Sequence, residues 1–174
     1  VIMDSHEKKL PDDNPMITVE EFMTAEPYTL SENNSLDDAR RVMTEKHIRH
    51  IPVTGDDKKL LGLVTQRDVL AATDPESKQL GDTTTRLADV MIRDVSVVST
   101  TDSLRHAAMY IQSHKYGCLP VVTDGRLIGI ITDSDFIDIA INLLEQVEVM
   151  EQEIATGLED TVDDVDMLEY EETQ

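Results

Sequence analysis

The chain has 174 residues, 40% of them hydrophobic but only 3% aromatic and none Trp, so its core must come from Val, Ile, Leu, Met and Ala; that is enough for one domain, or for two small halves sharing a core. Its formal net charge of −21 argues against nucleic acid and anionic membrane surfaces, both of which demand Lys and Arg. One cysteine, Cys118, excludes an intrachain disulfide, and no apolar run approaches the roughly 20 residues that span a bilayer.

Residues 1–16 are polar and mixed in charge, which reads as a disordered lead without a signal peptide, and so as a protein of the cytoplasm. From residue 17 the chain repeats itself at an offset of 68. "FMTAEPYTL" at 22–30 aligns with "VMIRDVSVV" at 90–98, and Ser35, Leu36, Ala39 and Met43 align with Ser103, Leu104, Ala107 and Ile111. "HIPV" at 50–53 aligns with "CLPV" at 118–121. Beyond the next turn the offset becomes 67, and Gly62, Thr65 and Asp68 match Gly129, Thr132 and Asp135. One residue is lost in a surface turn, where a deletion is tolerated.

Each copy predicts the same order of elements. A short helical turn ends at Met23 or Met91, and an extended piece follows at Tyr28–Leu30 or Ser96–Val98. An amphipathic helix spans 35–46 or 103–114, with apolar residues at i, i+3 and i+7 and a serine cap at Ser35 or Ser103. A hairpin comes next, turning at Asp124-Gly125 in the second copy and through a longer turn with Gly55 in the first. A second helix starts at the T-x-x-D phrase. The fold class is therefore α/β, two β-α-β-β-α repeats packed with pseudo-twofold symmetry. Repeat 1 covers 17–73, a polar linker 74–86 and repeat 2 87–140. The last helix extends through 141–156 on a heptad-like seam of Phe136, Ala140, Leu143, Val147, Met150 and Ile154, with Gly157 as its stop. An acidic tail, 157–174, completes the chain; residues 145–174 hold twelve acids and no Lys or Arg.

The chemistry concentrates in "LLGLVTQRDVL" (60–70) and "LIGIITDSDFI" (127–137). Read as capping alone, Thr65 and Thr132 start helices, the acid three residues on completes a capping box, and Gly62 and Gly129 permit close packing. Read as a ligand site, the helix N-terminus favours phosphate, and a carboxylate in its first turn can accept both hydroxyls of a ribose. Apolar neighbours such as Ile51 and Leu119 would sandwich a base.

The G-h-h-T-x-x-D phrase, the h-P-V strand before it, the Met-ended opening turn and the two-copy layout resemble a tandem CBS-domain pair over roughly residues 17–140. That resemblance implies two clefts between the halves that take adenosine-containing ligands: AMP, ADP, ATP or S-adenosylmethionine. By motif position, Asp68 and Asp135 would hold ribose and Thr65 and Thr132 sugar or phosphate. Tyr28, Thr29, Arg49, His50, Ile51 and Pro52 would frame one base pocket; Val95, Ser96, Gly117, Cys118, Leu119 and Pro120 would frame the other. It also implies a sensor or regulator, not an enzyme, with no catalytic cofactor.

The copies differ. The first phrase carries Arg67, with Arg49 and His50 upstream, and so predicts a cleft with cations for phosphate. The second carries Asp133 and Ser134, and repulsion disfavours an anion there unless a cation from the other half reaches in; Lys115, His114 and Arg126 are the nearest in sequence. Other signals are weaker. His47 and His50 lack the companions of a zinc site, Cys118 reads as a small buried residue, and neither a P-loop nor a nucleophile elbow is present. The alternatives are a scaffold or dimerisation protein with vacant clefts and a divalent-cation-responsive module using Asp56-Asp57 or Glu159-Asp160 with Asp163-Asp164. The expected partners are a small adenosyl ligand, a second copy in a homodimer, and an unidentified effector protein.

Overall fold

The computed structural model describes residues 17–73 and 84–163. The expectations for 1–16, most of the linker and the end of the acidic tail lie outside them. The described chain divides into one unit ending at Asp135 and a second from Phe136 onward.

In the first unit, α1 (Leu36–Lys46) begins at Ser35. The Ser35 hydroxyl accepts from the Asp38 amide at 3.1 Å while the Asp38 carboxylate accepts from the Ser35 amide at 3.1 Å, a closed capping box. β2 (His50–Thr54) and β3 (Leu60–Thr65) form an antiparallel hairpin, and α2 (Gln66–Thr73) follows. The second half repeats this with α4 (Leu104–His114), β4 (Cys118–Thr123), β5 (Arg126–Thr132) and the start of α5 (Asp133–Asp163). Ser103 occupies the cap of α4, but its side chain makes no capping bond; His106 stands where Asp38 closes the box in the first copy. The Asp124-Gly125 turn has both residues at positive φ, 51° and 75°, the geometry of a type I′ hairpin.

The repeats are not self-contained. The opening segment of each packs on the other. β1 (Thr24–Ala25) pairs antiparallel with β5, Thr24 opposite Ile130 and Ala25 opposite Gly129. Reciprocally, Ile92, which follows the short α3 (Leu87–Val90), exchanges two hydrogen bonds of 2.9 Å with Leu63 of β3. Leu87 and Met91 are buried in the core of the first half, with Leu36, Ala39, Met43, Ile51, Val53, Val64 and Val69. On the far side of each hairpin lies the repeat's own extended residue, Leu30 parallel to Val53 and Val98 parallel to Val121. Each half therefore stacks as own extended residue, own two strands, and the other half's opening segment. A smaller cluster of Leu63, Cys118 and Ile130, with Val95 against it, joins the halves.

This exchange accounts for the two glycines. A Cβ at Gly62 would sit 2.7 Å from both the Ile92 carbonyl oxygen and the Met91 sulfur; at Gly129 it would sit 2.5 Å from the Met23 sulfur and 3.0 Å from the Thr24 carbonyl oxygen. The Met that ends each opening turn lies over the other repeat's glycine.

In the second unit, α5 continues through Gly157 to Asp163, so Gly157 is not its stop. A helical Gly costs only about 1 kcal/mol relative to Ala and ends a helix only when it takes a left-handed cap. Along the proposed seam, Leu143, Val147, Met150 and Ile154 are 50–64% exposed. Among the described residues no helix is long and apolar enough to cross a membrane.

Gly62→Ala should lower Tm by about 5–10 °C, through overpacking against Met91 and the Ile92 carbonyl. Gly125→Ala, with open space around its Cβ, should show only the smaller left-handed backbone cost of about 1 kcal/mol. Thermal unfolding of both variants checks the order.

Candidate functional site

Both T-x-x-D phrases adopt one geometry. The amide and hydroxyl of Thr65 each donate to Asp68 Oδ2 at 2.7 Å. Thr132 does the same to Asp135 Oδ2, at 2.7 and 2.9 Å. The capping reading is thus realised in both copies, and it shapes what else these groups can do. Each Thr hydroxyl commits its proton to the carboxylate, so towards a ligand it acts as an acceptor, suited to a sugar hydroxyl more than to a phosphate oxygen. Oδ1 of each Asp makes no hydrogen bond with the described residues and keeps its acceptor capacity.

The strand starts lie alongside. The Gln66 amide donates to the Arg49 carbonyl at 2.8 Å, and the Asp133 amide to the Gly117 carbonyl at 3.0 Å. His50 pairs with Thr65 across β2–β3, and Cys118 with Thr132 across β4–β5. Arg49, His50, Thr65 and Asp68 are thereby brought together, as are Gly117, Cys118, Thr132, Ser134 and Asp135. Tyr28 and Thr29 are exposed and precede Leu30, which bonds Pro52, so they sit across β2 from the phrase; Lys46 Nζ lies 5.0 Å over the Tyr28 ring. Ile51 and Leu119 have no exposed surface and Pro52 and Pro120 less than 2%. Buried in this way, Ile51 and Leu119 present no face to a base, contrary to the expected sandwich. Val95 packs in the cluster between the halves, and Ser96 Oγ lies 3.2 Å from the Tyr110 hydroxyl, a neighbour that sequence reasoning passed over because Tyr110 reads only as one more position of α4.

The largest departure concerns Arg49. Its Nη2 donates to Asp133 Oδ1 at 2.9 Å and to Ser134 Oγ at 3.3 Å. The guanidinium expected at the first phrase therefore stands at the second. The cation that reaches the Asp133 region is Arg49, not Lys115, His114 or Arg126. Arg126 lies at the other end of β5, 3.7 Å from Asp57, and His114 stacks on Tyr110 at 4.0 Å. Arg67 is exposed and makes no ion pair with the described residues, so it is the cation left to the first phrase. Among the described residues no group of three or more His, Cys, Asp and Glu could hold a metal ion; Glu159, Asp160, Asp163 and Asp164 have no described side chains.

The halves meet at His50. Burial holds its imidazole below the usual histidine value, partly opposed by the charge of Asp133, while Arg49 adds to the lowering and Asp68 opposes it. A Cβ on Gly117 would collide with this ring, so a side chain there would have to displace His50 of the other repeat. Burial, aided by Asp133, pushes the Cys118 thiol up to about 12.

A family model described as CBS domain matches residues 19–74 and 87–142. The chain is similar to the crystal structure of AcuB from Vibrio cholerae, at 50% identity and a TM-score of 0.71 over 76% of this chain and 98% of that one. It is similar to CBSX2 in complex with AMP, at 33% identity and a TM-score of 0.64 over 72% and 97% of the two chains. It is 34% identical over 119 residues to an uncharacterized protein, MJ1225, of Methanocaldococcus jannaschii, matching 68% of this chain and 41% of that protein. The chain thus spans less than half the length of that curated relative.

Cys118 in the folded protein should react with a maleimide at about pH 8 at least a hundredfold more slowly than in denaturant, because thiolate is scarce and access closed. For His50, the folded-state pKa lies below the unfolded 6.5, so the unfolded chain takes up the proton first. Its contribution is complete above pH 6.5 and is lost as pH falls from there towards the folded value. Urea unfolding at about pH 7 and pH 5 should therefore show a larger acid-side loss in wild type than in His50→Gln.

Proposed function

We propose a regulatory role from one established premise: the chain belongs to the CBS-domain family. The module binds an adenosyl ligand, AMP, ADP, ATP or S-adenosylmethionine, and passes the binding event to a partner protein or to subunit packing. The observation that carries this reading is the duplicated T-x-x-D geometry, in which a Thr-tethered carboxylate keeps one oxygen for a ribose diol. The AMP held by CBSX2, a relative matched over both repeats, supports the ligand class. The reading is non-catalytic and places the protein in the cytoplasm.

The two clefts differ in taste. Arg67, unpaired among the described residues, favours AMP at the Asp68 cleft; Asp133 beside the Asp135 cleft makes that site weaker for anions. In a calorimetric titration, Asp68→Ala should weaken AMP binding by tenfold or more, from the loss of charge-assisted hydrogen bonds worth roughly 1.5–3 kcal/mol each. Asp135→Ala should change it less. Abolition by Asp135→Ala alone would reverse the assignment, and no heat with any adenosyl ligand would remove the reading.

The apolar line on α5 supports self-association. Leu143 and Val147 are 56% and 50% exposed, and seam residues spaced alternately by four and three suit a helix of a second copy. Leu143→Glu with Val147→Glu should shift sedimentation velocity towards a smaller species and leave AMP affinity within about twofold.

A further inference from the structure

Arg49 connects the two phrases. It immediately precedes β2 in the first repeat, and its carbonyl receives the Gln66 amide of the first T-x-x-D helix. Its side chain crosses to the second phrase, where one guanidinium nitrogen serves Asp133 Oδ1 and Ser134 Oγ together. Asp133 is the first residue of α5 and Asp135 lies two residues on in the same turn. A phosphate drawn to this helix N-terminus would meet the Asp133 carboxylate in place, and would find the nearby guanidinium already engaged. Both side chains remain accessible, 53% and 43% exposed, so the pair can open. An exposed ion pair of this kind is weak, whereas a phosphate can take Arg in a two-pronged charge-assisted contact. The first repeat has Gln66 where Asp133 stands, so no carboxylate holds a cation at that place there.

We propose that Asp133 sets the selectivity of the second cleft by holding Arg49: while the pair is closed the cleft takes an uncharged adenosyl group, and phosphate enters only by displacing Asp133 from the guanidinium. Asp133 is a specificity-determining residue that acts through Arg49 and needs no contact with the ligand. The proposal rests on the adenosyl-ligand reading above.

The test uses the full chain in an Asp68→Ala background, so that the second cleft dominates the signal, with AMP and adenosine titrated separately. Adding Asp133→Asn frees Arg49 and should tighten AMP about tenfold, the scale of one charge-assisted hydrogen bond, while adenosine changes less than twofold. Adding Arg49→Gln as well should erase the AMP gain. Thermal melts establish that each variant is folded. An equal gain for both ligands, no gain for AMP, or a gain that survives Arg49→Gln overturns the proposal. The adenosyl reading stands in those cases as long as wild type binds AMP. If wild type and every variant bind neither ligand, the reading fails and the proposal with it.

Discussion

The architecture depends on the reciprocal crossing of two short segments over two glycines. Met91 and Ile92 lie against Gly62, and Met23 and Thr24 lie against Gly129. At each place backbone meets backbone with no room for a methyl group. The pairing gives each hairpin a neighbour on its outer strand, and edge strands left bare are a liability. It also places Leu87, fully buried, in the core of the first half, a burial worth about 1.5–3 kcal/mol. The second repeat thus completes the core of the first half, and the first repeat's opening segment covers β5 of the second. Because the crossing brings the strand starts of both halves to one place, His50 can pack on Gly117 and Arg49 can reach Asp133.

The candidate site is built from atoms that already have structural duties. Thr65 and Asp68 start α2, and Thr132 and Asp135 start α5. A ligand that used the free carboxylate oxygen would engage a helix cap directly, and a change of strain at the cap would act on the helix behind it. For α5 that helix is 31 residues long. A ligand biases such an element only by binding its states with different affinity, and the proposed opening of the Arg49–Asp133 pair would give a phosphate such a preference.

Much of this was legible in the sequence because it is local or periodic. The repeat, the amphipathic spacing of Leu36, Ala39 and Met43, the Asp124-Gly125 turn and the T-x-x-D caps each depend on residues within a few positions. Local signals do not settle every helix end: Ser103 occupies the cap of α4 without a side-chain bond, and α5 runs on through Gly157. Asp133 stands out in the sequence as an added carboxylate, but its partner lies 84 positions away, beyond any local pattern.

The sequence by itself determined the duplicated α/β pattern, the caps and the pairing of Thr with Asp, since backbone propensity and short-range hydrogen bonds settle those within one turn or hairpin. The tertiary structure alone decided which repeat each opening segment completes, why Gly62 and Gly129 leave no room for a side chain, why His50 packs on Gly117, and which phrase Arg49 serves. Those outcomes depend on close approach between segments far apart in the chain, and such distances exist only once both halves are packed.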